Sequence, residues 1–171
     1  MMVKRDYPEK ELSILLSGFE EALGKCRMAA SNFSSRVLSI SGDDVSNRSD
    51  VVKGVEEALD ALFDVYEQLS RLEDVAESTV GFTMNEDEDK KIWNFIKTVR
   101  SVREKVEMLQ KNLKNYVKTV ESPDLAPLAK KELEKEVRTF NDTVKMLDTR
   151  GNEFLVILRS MYERARMGRL P

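Results

Sequence analysis

The chain has 171 residues, of which 41% are hydrophobic and 35% are charged, and its formal net charge is -3. Its 7 glycines and 4 prolines are too few for the turns of an all-β fold, so helices are expected instead. Histidine is absent and only one cysteine occurs, which excludes an intrachain disulfide, zinc sites of the Cys/His type and catalytic Ser-His or Cys-His pairs built from this chain alone.

Apolar residues recur at alternating steps of three and four through four segments of the chain. These steps keep one apolar stripe on one side of a helix with about 3.5 residues per turn, as in a coiled coil. The stripes run from Leu12 to Ile40, from Val51 to Ala76, from Ile92 to Val120 and from Leu133 to Ala165. Gly151 is the single stripe position that is not apolar.

The stripes and the breaks between them predict four helices near residues 7–41, 48–78, 86–121 and 124–167. Short connections make consecutive helices antiparallel neighbours, and each stripe is buried only by packing against another stripe. The sequence therefore predicts an all-α fold. We expect a single elongated, antiparallel four-helix bundle over residues 1–171, with coiled-coil-like packing.

Capping residues support these boundaries. Gly42 and two following aspartates are expected to end the first helix. Asn85 and Glu88 have the spacing of a capping pair at the start of the third helix. Asp124 is expected to cap the fourth helix.

The stretch from Asp148 to Asn152 leaves two interpretations open for the fourth helix. In isolation it resembles a turn, after which Asn152 would cap a short fifth helix. Leu147 and Phe154 are one heptad apart, however, so the stripe keeps its phase across this stretch. We predict a continuous fourth helix with a kink or a close helix approach at Gly151.

Few residues of the sequence could support catalysis or the binding of a metal or phosphate group. Cys26 lies on the first stripe and is expected to be a buried small hydrophobic residue. No Asp or Glu falls on a stripe, no glycine-rich phosphate loop occurs, and the acidic run 86–89 lacks the EF-hand pattern. We therefore expect a protein that is not an enzyme and has no cofactor, no metal and no small-molecule substrate.

Charge differs between the second and third helices. Residues 50–77 include nine acidic and two basic residues, whereas residues 90–121 include nine basic and three acidic residues. We name the outer carboxylates of the second helix, Asp60, Glu67 and Asp74, the acidic ridge. The basic ridge on the outer face of the third helix comprises Lys90, Lys97, Arg100, Lys111, Lys114 and Lys118.

The heptad frame places these ridges so that they point away from the core and not at each other. They are either solvated faces or a polarised surface that steers a partner, a nucleic-acid backbone or an anionic membrane. No aromatic residue is expected to interleave with the lysines, so stacking on single-stranded nucleic acid is not favoured.

Apolar residues outside the stripes provide either wider core faces or a partner interface. Leu59, Phe63 and Tyr66 widen the stripe of the second helix, and the run Phe154–Leu158 is apolar around most of the fourth. The candidate interface residues are Phe154, Leu155, Val156, Ile157, Trp93 and Ile96.

Together these features favour a non-enzymatic structural or adaptor protein. We expect it to bind protein partners through helical surfaces as a subunit of a larger assembly, with a homodimer as an open alternative. The alternative function is a polyanion-binding module that uses the basic ridge on an anionic membrane or nucleic acid. Because no secretory signal or apolar run of about 20 residues occurs, the cytoplasm is expected, and the nucleus stays open.

Overall fold

A computed structural model of the chain describes residues 6–40, 48–122 and 124–168. Over these ranges it has four long helices and no strand. The helices are α1 (Asp6–Ile40), α2 (Arg48–Ser78), α3 (Glu86–Thr119) and α4 (Ala126–Arg166), and a short 3-10 turn (Val80–Phe82) follows α2. At 1.5 Å per residue they are about 45–60 Å long, and the predicted all-α fold is confirmed.

The four helices form a ring in which α1 and α3 each pack against both α2 and α4. Glu20 and Ser34 of α1 contact Arg159 and Asn141 of α4, so residue numbers fall along α4 as they rise along α1. Contacts across the other three interfaces show the same reversal. The fold is therefore the antiparallel bundle expected from short connections.

The apolar stripes form the core of this bundle. Every stripe residue is buried except Leu16, Val120 and Val144, which are half-buried. Near one end, the rings of Phe19, Phe95 and Phe154 lie 4.8–5.5 Å apart, and they come from three different helices. Such ring pairs each add about 0.5–1.5 kcal/mol beyond the burial of their area.

The predicted start of α3 is confirmed. The Asn85 side chain accepts a hydrogen bond from the backbone N–H of Glu88 at 2.9 Å. The Glu88 carboxylate in turn accepts from the backbone N–H of Met84 at 2.9 Å. These bonds satisfy two donors that the helix and its preceding turn would otherwise leave unpaired.

Asp124 does not cap α4, contrary to the prediction. The helix begins at Ala126, and the residue at its N-cap is Leu125, which makes no side-chain capping bond. The backbone N–H groups of Leu125 and Ala126 both donate to the carbonyl of Ser122, so a backbone turn takes the place of a side-chain cap. The predicted end of α1 at residues 42–44 lies outside the described residues.

Two glycines mark places where helices approach closely. The continuous fourth helix is confirmed, because α4 runs unbroken through Gly151. A Cβ atom at Gly151 would lie 3.2 Å from each δ-methyl carbon of Leu23 in α1. A Cβ atom at Gly54 in α2 would overlap the Cγ2 atom of Ile40 in α1. Gly54 therefore needs a residue without a side chain if the present helix spacing is to be kept, whereas at Gly151 a small shift of Leu23 would be required.

Candidate interaction surface

The apolar run in α4 does not form an exposed strip. Phe154 and Ile157 are buried in the core, and Leu155 packs against it half-buried. Val156 alone among these four residues is largely exposed, at 65%. Consecutive residues point to different sides of a helix, and α1 and α3 cover α4 on two of those sides.

The two candidate interface residues of α3 also differ in their exposure to solvent. Ile96 is fully buried, whereas Trp93 is 43% exposed. Trp93 precedes Arg100 by one heptad, and Arg100 forms ion pairs with α2, so Trp93 lies on the side of α3 next to α2. Val156 projects from α4, which packs against α1 and α3 instead. The six predicted residues therefore do not form one exposed surface.

An exposed aromatic residue that the sequence left open between core and interface lies on the same side as Trp93. Phe63 is 56% exposed. It precedes Glu77 of α2 by two heptads, and Glu77 pairs with Arg100 of α3 at 3.3 Å. Phe63 therefore lies next to α3. The sequence already indicated this exposure, because Phe63 directly follows the stripe residue Leu62. When Leu62 points into the core, the next residue points away from it.

Half-buried apolar residues continue this surface. Leu59 and Tyr66 lie beside Phe63 on α2, one turn away on either side, and pack against the core. Val117 of α3 is half-buried too, and it follows Arg103, another partner of α2, by two heptads. We name this surface the α2–α3 face; its apolar residues are Leu59, Phe63, Tyr66, Trp93 and Val117.

A charged network crosses the α2–α3 face between its two exposed aromatic residues. Glu73 of α2, only 14% exposed, accepts a hydrogen bond from Nε of Arg100 at 3.0 Å. It also pairs with Arg103 at 3.3 Å. The Arg103 guanidinium lies 5.7 Å from the ring centroid of Tyr66, a cation–π distance. These contacts fix the two helices in register and hold four side chains in place.

The same network corrects the predicted ridges. Arg100 is not a free member of the basic ridge, because Glu73 and Glu77 of α2 hold it. The two helices therefore do meet through opposite charges at this level. The five lysines of the ridge remain exposed, and none of them forms an ion pair with another residue in the described ranges. The carboxylates of the acidic ridge are exposed as well.

An aromatic residue also interleaves with the lysines, contrary to the prediction. Trp93 lines a shallow depression together with Lys90 and Lys97, which lie about one turn before and after it on α3. Glu86 and Asp89 border the same depression, so its charge is mixed.

A groove between α3 and α4 is the second concave feature. It encloses about 200 Å³ and is lined by Met108, Leu109 and Phe140, with Asn112 donating to Glu136 at 3.0 Å along its wall. Ligand pockets usually measure about 300–1,000 Å³. The groove is smaller than this range.

The thiol of Cys26 is buried, as predicted. Burial raises the pKa of this thiol to about 12, so it stays protonated at neutral pH. A nucleophilic cysteine needs an exposed thiolate. The local structure of Cys26 is that of a packed core residue.

Neither a metal centre nor a membrane-spanning helix occurs among the described residues. The described part of the chain holds no group of three or more Cys, Asp or Glu side chains arranged for a metal ion. None of its helices has an apolar stretch long enough to cross a bilayer. The sequence matches no protein-family model and none of the curated proteins with which it was compared.

Proposed function

We propose that the protein is a cytoplasmic, non-enzymatic structural or adaptor protein that binds a protein partner through the α2–α3 face. One observation carries this proposal: Phe63 and Trp93 are exposed on a single face of a bundle whose stripes are already buried. Aromatic anchors of this kind contribute a large part of the binding energy in protein interfaces.

The surroundings of the two anchors suit this role. Glu73, Arg100 and Arg103 hold α2 and α3 together between them, so the face is ordered before a partner arrives. Preorganisation lowers the entropic cost of association. The half-buried Leu59 and Val117 extend the apolar area around Phe63, as expected at the centre of an interface.

The experiment compares two matched double variants. Phe63→Ser with Trp93→Ser removes both anchors from the α2–α3 face. The control, Ile14→Ser with Met28→Ser, removes two apolar residues from α1 that are 72% and 70% exposed, more than either anchor. Both variants should keep the helical circular dichroism of the parent, because none of the four side chains belongs to the buried core.

Proteins recovered with the parent chain are identified by quantitative mass spectrometry, and their binding is then measured with purified components. We expect the first variant to lose at least tenfold in affinity, while the α1 variant binds like the parent. Equal binding by both variants would contradict the proposed surface.

A second candidate function is binding to an anionic membrane or nucleic acid. It is favoured by the exposed, unpaired Lys111, Lys114 and Lys118 on α3. The test is sedimentation with phosphatidylserine vesicles, and gel shift with duplex DNA, at low and high salt. Binding that Lys111→Glu with Lys118→Glu abolishes would support it, and no binding at low ionic strength would eliminate it.

A further inference from the structure

We propose that the partner on the α2–α3 face is a second copy of this chain, in a symmetric dimer with its two-fold axis parallel to the helices. This inference rests on the proposed function of that face and specifies its partner. The observation behind it is that the acidic ridge of α2 and the unpaired lysines of α3 flank the two edges of the α2–α3 face.

Symmetry relates the two ridges to each other. A two-fold axis parallel to the helices places α2 of one copy opposite α3 of the other, so each acidic ridge meets a basic ridge. An axis across the helices would place α2 against α2 and α3 against α3, and like charges would then meet. A two-fold interface uses the same patch on both copies, so the charge pattern selects the first arrangement.

The register of α2 and α3 shows which charges meet. Glu73 lies level with Arg100 and Arg103, since it pairs with both. The helices are antiparallel, so Asp60, which precedes Glu73 by 13 residues, lies level with Lys114. By the same reasoning, Asp74 lies level with Arg100 and Ser101, about one turn from Lys97.

A two-fold axis parallel to the helices keeps every residue at its own level. Asp60 of one copy therefore faces Lys114 of the other, and Asp74 lies within about one turn of Lys97, twice each by symmetry. Phe63, Leu59 and Val117 from both copies lie between these charged edges. An apolar centre within a charged rim is the usual anatomy of a protein interface.

At one position along the helices, like charges face each other across the proposed dimer, and this provides a further test. Glu67 lies level with Glu107, and Glu104 is one turn away, so like charges face each other there. Replacing Glu67 by Lys converts two symmetric repulsions into attractions. We expect Glu67→Lys to tighten the dimer about tenfold.

Charge reversal provides the decisive experiment. Asp60→Lys with Asp74→Lys gives a chain in which both ridges are positive. Lys97→Glu with Lys114→Glu places two carboxylates on the edge of α3 that the acidic ridge of the other copy faces. Each variant alone should be monomeric, and an equimolar mixture should form a heterodimer. The control, Lys131→Glu with Lys145→Glu, makes the same charge change on exposed positions of α4 and should leave the dimer intact.

Mass is measured by light scattering and sedimentation at about 100 μM, where a Kd of about 1 μM gives mostly dimer. The parent should have twice the mass of the 19.6 kDa chain, and the dimer should weaken as salt is raised. A monomeric parent, or a dimer that survives both charge reversals, would overturn the inference.

The outcome also separates this inference from the broader function. If the parent is monomeric but its binding to a different protein depends on Phe63 and Trp93, the adaptor function stands and the dimer is refuted. If the parent is monomeric and its lysines bind anionic vesicles, the dimer is refuted and the second candidate function is supported.

Discussion

The close approach of α1 and α2 at Gly54 gives a sharp prediction about stability. Substituting Gly54 by Ala places a Cβ atom where the Cγ2 atom of Ile40 now lies. The Ile40 side chain is 3% exposed and cannot rotate into solvent without leaving the core. The helices must therefore separate locally, and the free energy of unfolding should fall.

The magnitude follows from comparison with a second glycine. A Cβ atom at Gly24 of α1 would meet nothing within 4 Å, so Gly24→Ala should stabilise the protein by about 0.5–1 kcal/mol through helix propensity. The same gain applies at Gly54, but overpacking costs about 1–3 kcal/mol. The difference between the two variants isolates the overlap, because propensity cancels, and it should be about 1–3 kcal/mol.

Thermal and urea unfolding followed by circular dichroism measure this difference. One kcal/mol corresponds to about 2–4 °C in the melting temperature for a chain of this size. In an Ile40→Ala background, which lacks Cγ2, Gly54→Ala should become stabilising. If Gly54→Ala stabilises the parent as much as Gly24→Ala does, the close approach of α1 and α2 at this point is refuted.

Three further predictions concern the core, its thiol and the last turn of α4. Leu109→Ala should lower stability by about 2–3 kcal/mol in urea melts, at the low end for buried leucines because Leu109 borders the α3–α4 groove. Burial raises the pKa of the Cys26 thiol to about 12 in the folded chain, so the unfolded chain loses this proton at a lower pH than the folded chain does. Stability should therefore fall from about pH 9 towards pH 12, by up to about 1.4 kcal/mol per unit, and less steeply in Cys26→Ala. Arg164→Met should lower the free energy of unfolding by about 1–3 kcal/mol, because the mostly buried Glu88 carboxylate then loses two 3.0 Å hydrogen bonds. Arg166→Met, which removes an exposed ion pair, should lower it by less than about 1 kcal/mol. Equal losses in the two variants would refute this ranking.

The fold could be predicted from the sequence because one physical quantity, the period of the apolar residues, determines it. Stripes at steps of three and four identify the buried side of each helix, and short connections set the antiparallel order. Gly151 illustrates how far this reasoning extends. Its place on the stripe predicted a continuous helix and a close approach, and Leu23 now lies against it.

The surface was harder to predict, because periodicity gives the direction of a side chain but not the identity of its neighbour. Arg100 looked like a solvated residue until α2 placed Glu73 beside it. Ile96 and Ile157 looked like spare apolar surface until adjacent helices covered them. Asp124 failed as a cap for a related reason, because a competing backbone turn satisfied the same donors.

The cluster of Phe19, Phe95 and Phe154 also has a consequence during protein synthesis. The first two rings emerge from the ribosome well before the third, and α4 alone has 41 residues. At about 5–20 residues per second, the 59 residues from Phe95 to Phe154 take about 3–12 s to synthesise, and during this time the first two rings lack their third partner. Chaperones that recognise aromatic surface have that interval in which to bind, and translation speed across α4 controls how long the chain is vulnerable to aggregation.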